Sequence, residues 1–379
     1  MVYPKRSRVS SVTRYIANPK RSRSSAATAR VTRPRLSRVS DLTTCIVSTT
    51  NYQLVRQIAV GGMAEVYLAR VTGVAGFCRY VAVKWLRPGL ADDPALVSML
   101  IDEALITSLL EHAGIPAIID LGFCDGRYYI VEEYVHGRDL RHVLQRCSEI
   151  HGPPSVAIAC YVVMKLCEAL DYAHDATDGR GRPLQIIHRD ISPPNVILSY
   201  EGAVKLIDFG IARACVRSTH TKVGRIKGKL SYMAPEQLHG RKLDRRSDVF
   251  AVGVLLYELL TTTPLFCGEH RAFGGEQQLL SRLRDLSVDD SLYWIISKAL
   301  AWNPAFRYAN AADLREALLA YTYRQGHYAS RADLAHWLQG CFHDARDIHD
   351  PMALQPTQAR VTSRRLHAWT SRPHTRILL

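Results

Sequence analysis

Between residues 52 and 135 the chain alternates mostly in twos. The runs YQLVRQIAV (52–60), AEVYLARV (64–71), RYVAVKWL (79–86) and RYYIVEEYV (127–135) are rich in β-branched and aromatic residues and are separated by glycine-containing breaks. That pattern predicts strands. One stretch changes period: over 94–111, Val97, Leu100, Ile101, Ala104, Leu105 and Leu109 recur at the i, i+3, i+4, i+7 spacing of an amphipathic helix. From about residue 155 the helical period takes over, in VAIACYVVMKLCEALDYAH (156–174), SDVFAVGVLLYELL (247–260) and SRADLAHWLQGCF (330–342). The pattern therefore predicts an α+β, bilobal molecule: a small β-rich N-lobe over 51–133 and a larger α-helical C-lobe over 134–342. A cleft between the lobes is the place to expect a ligand.

The chain has 379 residues and is 47% hydrophobic, enough to bury a sizeable core. Its formal charge of +14 would suggest nucleic acid if it were spread over the folded region. It is not. Residues 1–50 carry 11 Lys/Arg against Asp41 alone, residues 351–379 carry five Arg and no acid, and the middle is close to neutral. The chemistry of the tails suits weak polyanion binding, and a strongly basic core is excluded. The first 50 residues also repeat loosely, with PKRSR at 4–8 and 19–23 and SRVS at 7–10 and 37–40. Such Arg/Ser-rich, acid-poor sequence cannot bury enough apolar surface to fold, so 1–50 is expected to be a disordered basic tail. The same composition suits a transit peptide, and a downstream start is a third reading. Residues 343–379 are expected to be a second disordered basic tail. The nine cysteines never form a C-x-x-C and are expected to be scattered reduced thiols. The apolar run VFAVGVLLYELL is interrupted by Glu258 and reads as a buried helix, not a membrane span.

Candidate chemistry follows in one order along the chain. IAVGGMAEVYLA (58–69) places Gly61 and Gly62 in a turn between two strands, where small residues let backbone N–H groups approach phosphate oxygens. VAVK puts Lys84 on a strand, and Glu103 lies beside the apolar stripe of the following helix, able to hold that lysine. HRDISPPN then sets Asp190 and Asn195 on a loop ahead of strand-like NVILS and AVKLIDFG. A carboxylate there can accept a proton from an attacking hydroxyl, while the Asn195 amide and the Asp208 carboxylate can hold magnesium. APE, ending at Glu236, closes the series. Each motif alone has a blander reading as a turn or a solvated side chain. Their conjunction is specific.

Taken together these motifs resemble the eukaryotic-type serine/threonine protein kinases of bacteria over about 52–342, and GGMAEVYLA, HRDISPPN and GKLSYMAPEQ resemble those of myxobacteria. The resemblance implies the bilobal protein kinase fold, ATP and Mg2+ as cofactors, and protein substrates. It places Ile58, Gly61, Gly62, Val66, Ala82, Glu133 and Val135 around the nucleotide, with Glu133–Val135 as the hinge. Lys84 would contact the α/β-phosphates and pair with Glu103, Asp190 would orient the substrate hydroxyl, and Asn195 and Asp208 would bind the metal. Asp248 should anchor the catalytic loop, and Glu236 should pair with Arg307. Arg189 would receive a phosphate from the activation segment, 208–236, with Thr219 and Thr221 the preferred sites. No sensor module or membrane segment is visible, so a cytoplasmic location is expected.

The departures from the family pattern matter as much. Ala59 and Ala64 replace the first and third glycines of the nucleotide loop. Glu132 precedes the hinge where an apolar residue usually stands, and needs a partner or a raised pKa. Pro194 replaces a glutamate associated with basic-directed substrates. Ser192 stands where a lysine contacts the transferring phosphate, and Lys229 replaces the threonine that faces it. Lys229 either supplies the missing ammonium from the opposite side or is a solvated loop lysine. Three functions follow: an active kinase, a nucleotide-binding pseudokinase scaffold, and nucleic-acid binding through the tails.

Overall fold

The structure, a computed structural model, describes residues 51–209 apart from 74 and 76, then 230–266, 271–343 and 360–362. In the first lobe, the alternation is that of a sheet packed on its faces. It is built from β1 (Asn51–Val60), β2 (Ala64–Thr72), β3 (Cys78–Leu86), β4 (Ile118–Cys124) and β5 (Arg127–Glu133), antiparallel in the order β4-β5-β3-β2-β1. Tyr52, Val81, Val83, Trp85, Tyr129 and Val131 form one cluster, in which the Tyr129 ring meets Tyr52 and Trp85 edge to face. Leu86 and Ile130 form another with Leu100 and Ala104 of α1 (Pro94–Thr107). Asp93 starts α1 by accepting the Ala95 N–H, with Pro94 at the first helical position.

The helix ends four residues before the expected Glu111, because Leu109 and Leu110 turn back in tighter hydrogen bonds to Ile106 and Thr107. Leu105, counted above among the apolar stripe, is 56% exposed. Strand β4 has no counterpart in the sequence reading: IIDLGFC alternates poorly, and its Gly122 is required because the Tyr129 ring occupies the space a side chain would take. β5 stops at Glu133, two residues short of the expected end. Within the stretch expected to be unstructured, β9 (Arg360–Thr362) pairs antiparallel with Asn51–Gln53 at the outer edge of the sheet.

The second lobe is organised around α3 (Val156–His174), capped by Ser155, and α5 (Arg246–Thr261). Every residue from Ser247 to Leu259 is buried, so α5 is apolar all round, as a central helix must be. Glu258, the acid inside that run, accepts hydrogen bonds from the Tyr232 hydroxyl (2.8 Å) and the Leu265 N–H (3.3 Å). The remaining helices are α2 (Leu140–Arg146), which continues as a π-helical turn over Cys147–His151, α4 (Pro235–Leu238), α6 (Arg271–Arg284), α7 (Asp290–Ala299), α8 (Ala311–Gln325) and α9 (Arg331–Cys341). Glu236 of α4 and Arg307 form a bidentate pair at 2.7 and 2.8 Å in the lobe's interior. Among the described residues no helix is long and apolar enough to cross a membrane.

A small antiparallel sheet, β6 (Gly137–Asp139), β7 (Val196–Ser199) and β8 (Val204–Leu206), lies where the hinge enters this lobe. The β7–β8 turn is closed by Gly202 at φ +79°, and a side-chain carbon there would coincide with the Arg331 carbonyl of α9. Arg331 and Gln339 of α9 in turn donate to the carbonyls of Glu201 and Tyr200, both at 2.8 Å. The last helix thus holds the hairpin from outside.

Candidate active site

Lys84 sits mid-sheet on β3, between Val66 of β2 and Ile130 of β5. Its Nζ lies 2.6 Å from Glu103 Oε1 of α1 and 2.8 Å from Asp208 Oδ1 beyond β8. Burial works against the ammonium, but Asp208 first and Glu103 next outweigh it, so Lys84 is held charged, well above its ordinary range. Burial raises the Glu103 carboxyl above its ordinary range, and Lys84 opposes that shift. The pairing expected from sequence is therefore present, with Asp208 as a second acid on the same ammonium.

Asp190 and Asn195 come together on the loop between α3 and β7. Asn195 donates its amide N–H groups to the Asp190 carbonyl (2.8 Å) and carboxylate Oδ2 (3.0 Å), which leaves the amide oxygen end for a cation. The Asn195 carbonyl accepts from Ile207 N–H at 2.9 Å, placing Asn195 beside the chain leading to Asp208. One carboxylate and one amide oxygen are hard oxygen donors, and Mg2+ is held by such a pair together with nucleotide phosphates. The residues present fit that metal. Ser192 is buried, and its Oγ donates to the Asp190 carbonyl at 3.4 Å.

The loop's backbone is strained, and the strain has visible support. Arg189 and Asp208 both sit at positive φ, +63° and +57°, where non-glycine residues are uncommon. Asp248 of α5 accepts from the N–H groups of His188 (2.8 Å) and Arg189 (2.9 Å) and from His174 Nε2 (2.8 Å). These donors outweigh the cost of its burial and hold its carboxyl below the usual range. Asp248 is thus the anchor anticipated from SDVFAVG. Gln237 of α4 adds a bond to the Arg189 carbonyl at 3.0 Å. Phe209 packs on the His188 ring at 4.7 Å between centroids, and His188 Nε2 meets the Ile207 carbonyl at 3.1 Å.

Of the residues expected around a nucleotide, Ile58 lies on β1, Val66 on β2, Ala82 on β3 and Glu133 at the end of β5. Gly61 N–H bonds to the Ala64 carbonyl at 2.7 Å, so the turn closes although Ala59 and Ala64 stand for glycines. Glu133 is more than a backbone position: its Oε2 accepts from Lys205 Nζ of β8 at 2.8 Å and from Ala117 N–H at 3.3 Å. Glu132 lines a small recess with Thr107, Ile118, Ile130, Leu206 and Phe209. Burial, opposed by Lys84 and reinforced by Asp208 and Glu103, pushes its carboxyl up to about 8. The raised pKa, one of the two solutions open at the sequence level, is the one found.

Lys229, Thr219 and Thr221 lie outside the described residues. The Lys205–Glu133 link and the His174 contact to Asp248 were missed by the sequence reading. Both partners sat in motifs already noted, Lys205 two residues before Ile207 in AVKLIDFG and His174 at the end of the long helical run, but pairings of 72 and 74 residues' separation leave no local signal.

A family model described as protein kinase domain matches residues 52–322. The tyrosine-protein kinase MasK of Myxococcus xanthus is 39% identical over 300 residues, which cover 78% of this chain and 46% of that protein. The serine/threonine-protein kinase PknB of Mycobacterium leprae is 38% identical over 290 residues, 73% of this chain and 44% of that protein. The chain thus spans less than half the length of these relatives. A crystal structure of the Mycobacterium tuberculosis PknI kinase domain superposes with a TM-score of 0.50 at 26% identity, covering 73% of this chain and 96% of that one.

Proposed function

The chain belongs to the protein kinase domain family, and on that premise we propose that it transfers the γ-phosphate of Mg-ATP to serine or threonine hydroxyls of proteins. The observation that carries this reading is the Lys84–Glu103 ion pair at 2.6 Å, the strand-to-helix pairing that phosphoryl transfer by protein kinases requires. Lys84 presents its charge to the nucleotide phosphates. Asp190, fixed by Asn195, orients the attacking hydroxyl and takes its proton. Mg2+, held by Asn195 and Asp208, would supply charge neutralisation between the phosphates. The hinge, tied to the C-lobe by Lys205, receives the adenine.

One observation favours a second reading of the acceptor: the Myxococcus relative is named a tyrosine-protein kinase. Phosphate transfer from Mg-ATP, with phosphoamino-acid analysis and the Asp208→Asn variant as control, separates the cases. Phosphoserine or phosphothreonine that vanishes in the variant supports the proposal, phosphotyrosine moves the acceptor to the second reading, and ATP binding without transfer establishes a scaffold.

Regulation through Thr219 and Thr221 accords with Arg189, whose buried Nε has no hydrogen-bond partner among the described residues. A phosphate there would add about −1.5 to −2 charge opposite that guanidinium. Mass spectrometry of active enzyme with both threonines unmodified would remove this part of the proposal. Lys229 as a surrogate for the lysine missing at Ser192 predicts a slower transfer step in Lys229→Ala; an unchanged rate refutes it. We assign the activity to the cytoplasm, where Mg-ATP and protein substrates are available.

A further inference from the structure

The stretch DATDGRGRPLQ (175–185), between α3 and the loop that carries Asp190, contributes no group to the site, yet it is a built hairpin. Thr177 and Pro183 pair across it, Leu184 N–H returns to the Ala176 carbonyl at 2.9 Å, and Gly181 at φ +76° makes the turn. Asp178 fixes the tip, accepting from the N–H groups of Arg180 (2.8 Å) and Arg182 (2.9 Å) and pairing with the Arg182 guanidinium at 2.6 Å. A second turn, HGRKLDR (239–245), is tied to this hairpin: Arg245, just ahead of α5, reaches Asp175 at 2.8 Å, while Arg241 N–H holds the Glu236 carbonyl of α4 at 2.9 Å.

Residues 175–185 and 239–246 together hold six Lys/Arg and three aspartates. Each aspartate is taken by an arginine of its own: Asp175 by Arg245, Asp178 by Arg182, and Asp244 by Arg246 at 2.6 Å. Arg180, Arg241 and Lys242 remain, exposed and with no side-chain partner among the described residues. This surplus borders the loop that carries Asp190. The hairpin runs directly into Ile186–Asp190, and Gln237 of α4, ahead of the second turn, donates to the Arg189 carbonyl at 3.0 Å.

We propose, resting on the assignment of protein hydroxyls as acceptors, that the surface marked by Arg180, Arg241 and Lys242 docks an acidic segment of the protein substrate, so that Asp/Glu-rich targets are selected. Carboxylates can reach these three cations without breaking an internal pair, because the neighbouring aspartates are already committed. Arg180 stands on a turn that Asp178 has fixed, so little backbone order is left to impose on docking. Pro194, beside Asn195, offers no carboxylate to a basic peptide. The chain's own basic tails are excluded as occupants by like charge. Three exposed ion pairs of ordinary strength amount to about a tenfold preference, weakened by salt.

The test is phosphate transfer by the full chain to serine peptides that share one acceptor sequence and carry, before or after it, a run of glutamate, glutamine or lysine. Wild type should favour a glutamate peptide over its glutamine counterpart by about tenfold in kcat/KM, mainly through KM, and the advantage should shrink as NaCl is raised. In the Arg180→Glu, Arg241→Glu, Lys242→Glu triple variant the advantage should vanish or invert, while the glutamine peptide is used as before. The corresponding triple alanine variant, in which the advantage should vanish, decides the matter if charge reversal impairs folding. Equal use of glutamate and glutamine peptides by wild type, a preference for lysine, or a glutamate preference that survives both variants would overturn the proposal. Weaker binding of single-stranded DNA by the variants with peptide choice unchanged would overturn it too, and give the surface to a nucleic acid. If no peptide is phosphorylated, the kinase reading itself falls, and fluorescence anisotropy still decides the docking: a labelled glutamate peptide should bind wild type more tightly than the triple variants, and equal binding refutes it.

Discussion

Glu132 shows how one side chain can carry a pH dependence. Its carboxyl titrates at about 8 in the folded chain against 4.5 as the ordinary value. A group whose pKa is raised on folding adds its full stability below the unfolded value and loses it as pH climbs through the folded one. Wild type should therefore lose stability steadily between pH 5 and 8. Glu132→Gln keeps the shape but cannot ionise, so its thermal midpoint should exceed wild type's by a margin that grows from pH 6 to pH 9; a constant margin would refute the assignment. Glu236 poses a different problem, because Arg307 is wholly buried and depends on it. Glu236→Ala leaves that cation uncompensated and should cost about 3–5 kcal/mol in urea unfolding, while the Glu236→Met, Arg307→Met double variant should recover much of the loss.

The loop that carries Asp190 and Asn195 owes its shape to a neighbouring helix more than to its own residues. Asp248 on α5 takes two loop N–H groups, one from Arg189 at φ +63°. Asp248→Asn turns one acceptor oxygen into a donor, and the loop should relax by a fraction of an ångström or more. The transfer step should slow by up to about 100-fold with ATP affinity little changed; a loss confined to ATP affinity would show that the aspartate serves the nucleotide instead. Such couplings also mark what sequence could and could not reveal. Gly61, Lys84, Glu103, Asp190, Asn195 and Asp208 stand in fixed order on elements whose periods are clear, so the site was legible before its geometry. β4 was not, since its alternation is broken by Gly122, a position governed by the Tyr129 ring across the sheet. Lys205 likewise read as an ordinary strand lysine, because nothing local announces that Glu133 lies opposite.

Charge is distributed over the whole chain so that the folded middle is close to neutral and the ends are basic. Deleting residues 1–50 should leave phosphate transfer unchanged and weaken any salt-dependent binding to heparin or single-stranded DNA; binding undiminished by the deletion would place the polyanion site outside that tail.

The β7–β8 hairpin, which follows directly after Asn195, leans on α9, through Gly202 against Arg331 and through Gln339 on Tyr200. The family match stops at residue 322, before that helix begins. A fragment cut at the family boundary would therefore remove the outer wall of that hairpin, exposing the carbonyls of Tyr200 and Glu201 and the apolar seats of Leu334 and Leu338. The shortest piece of this chain that can be expected to fold and turn over extends at least to Phe342.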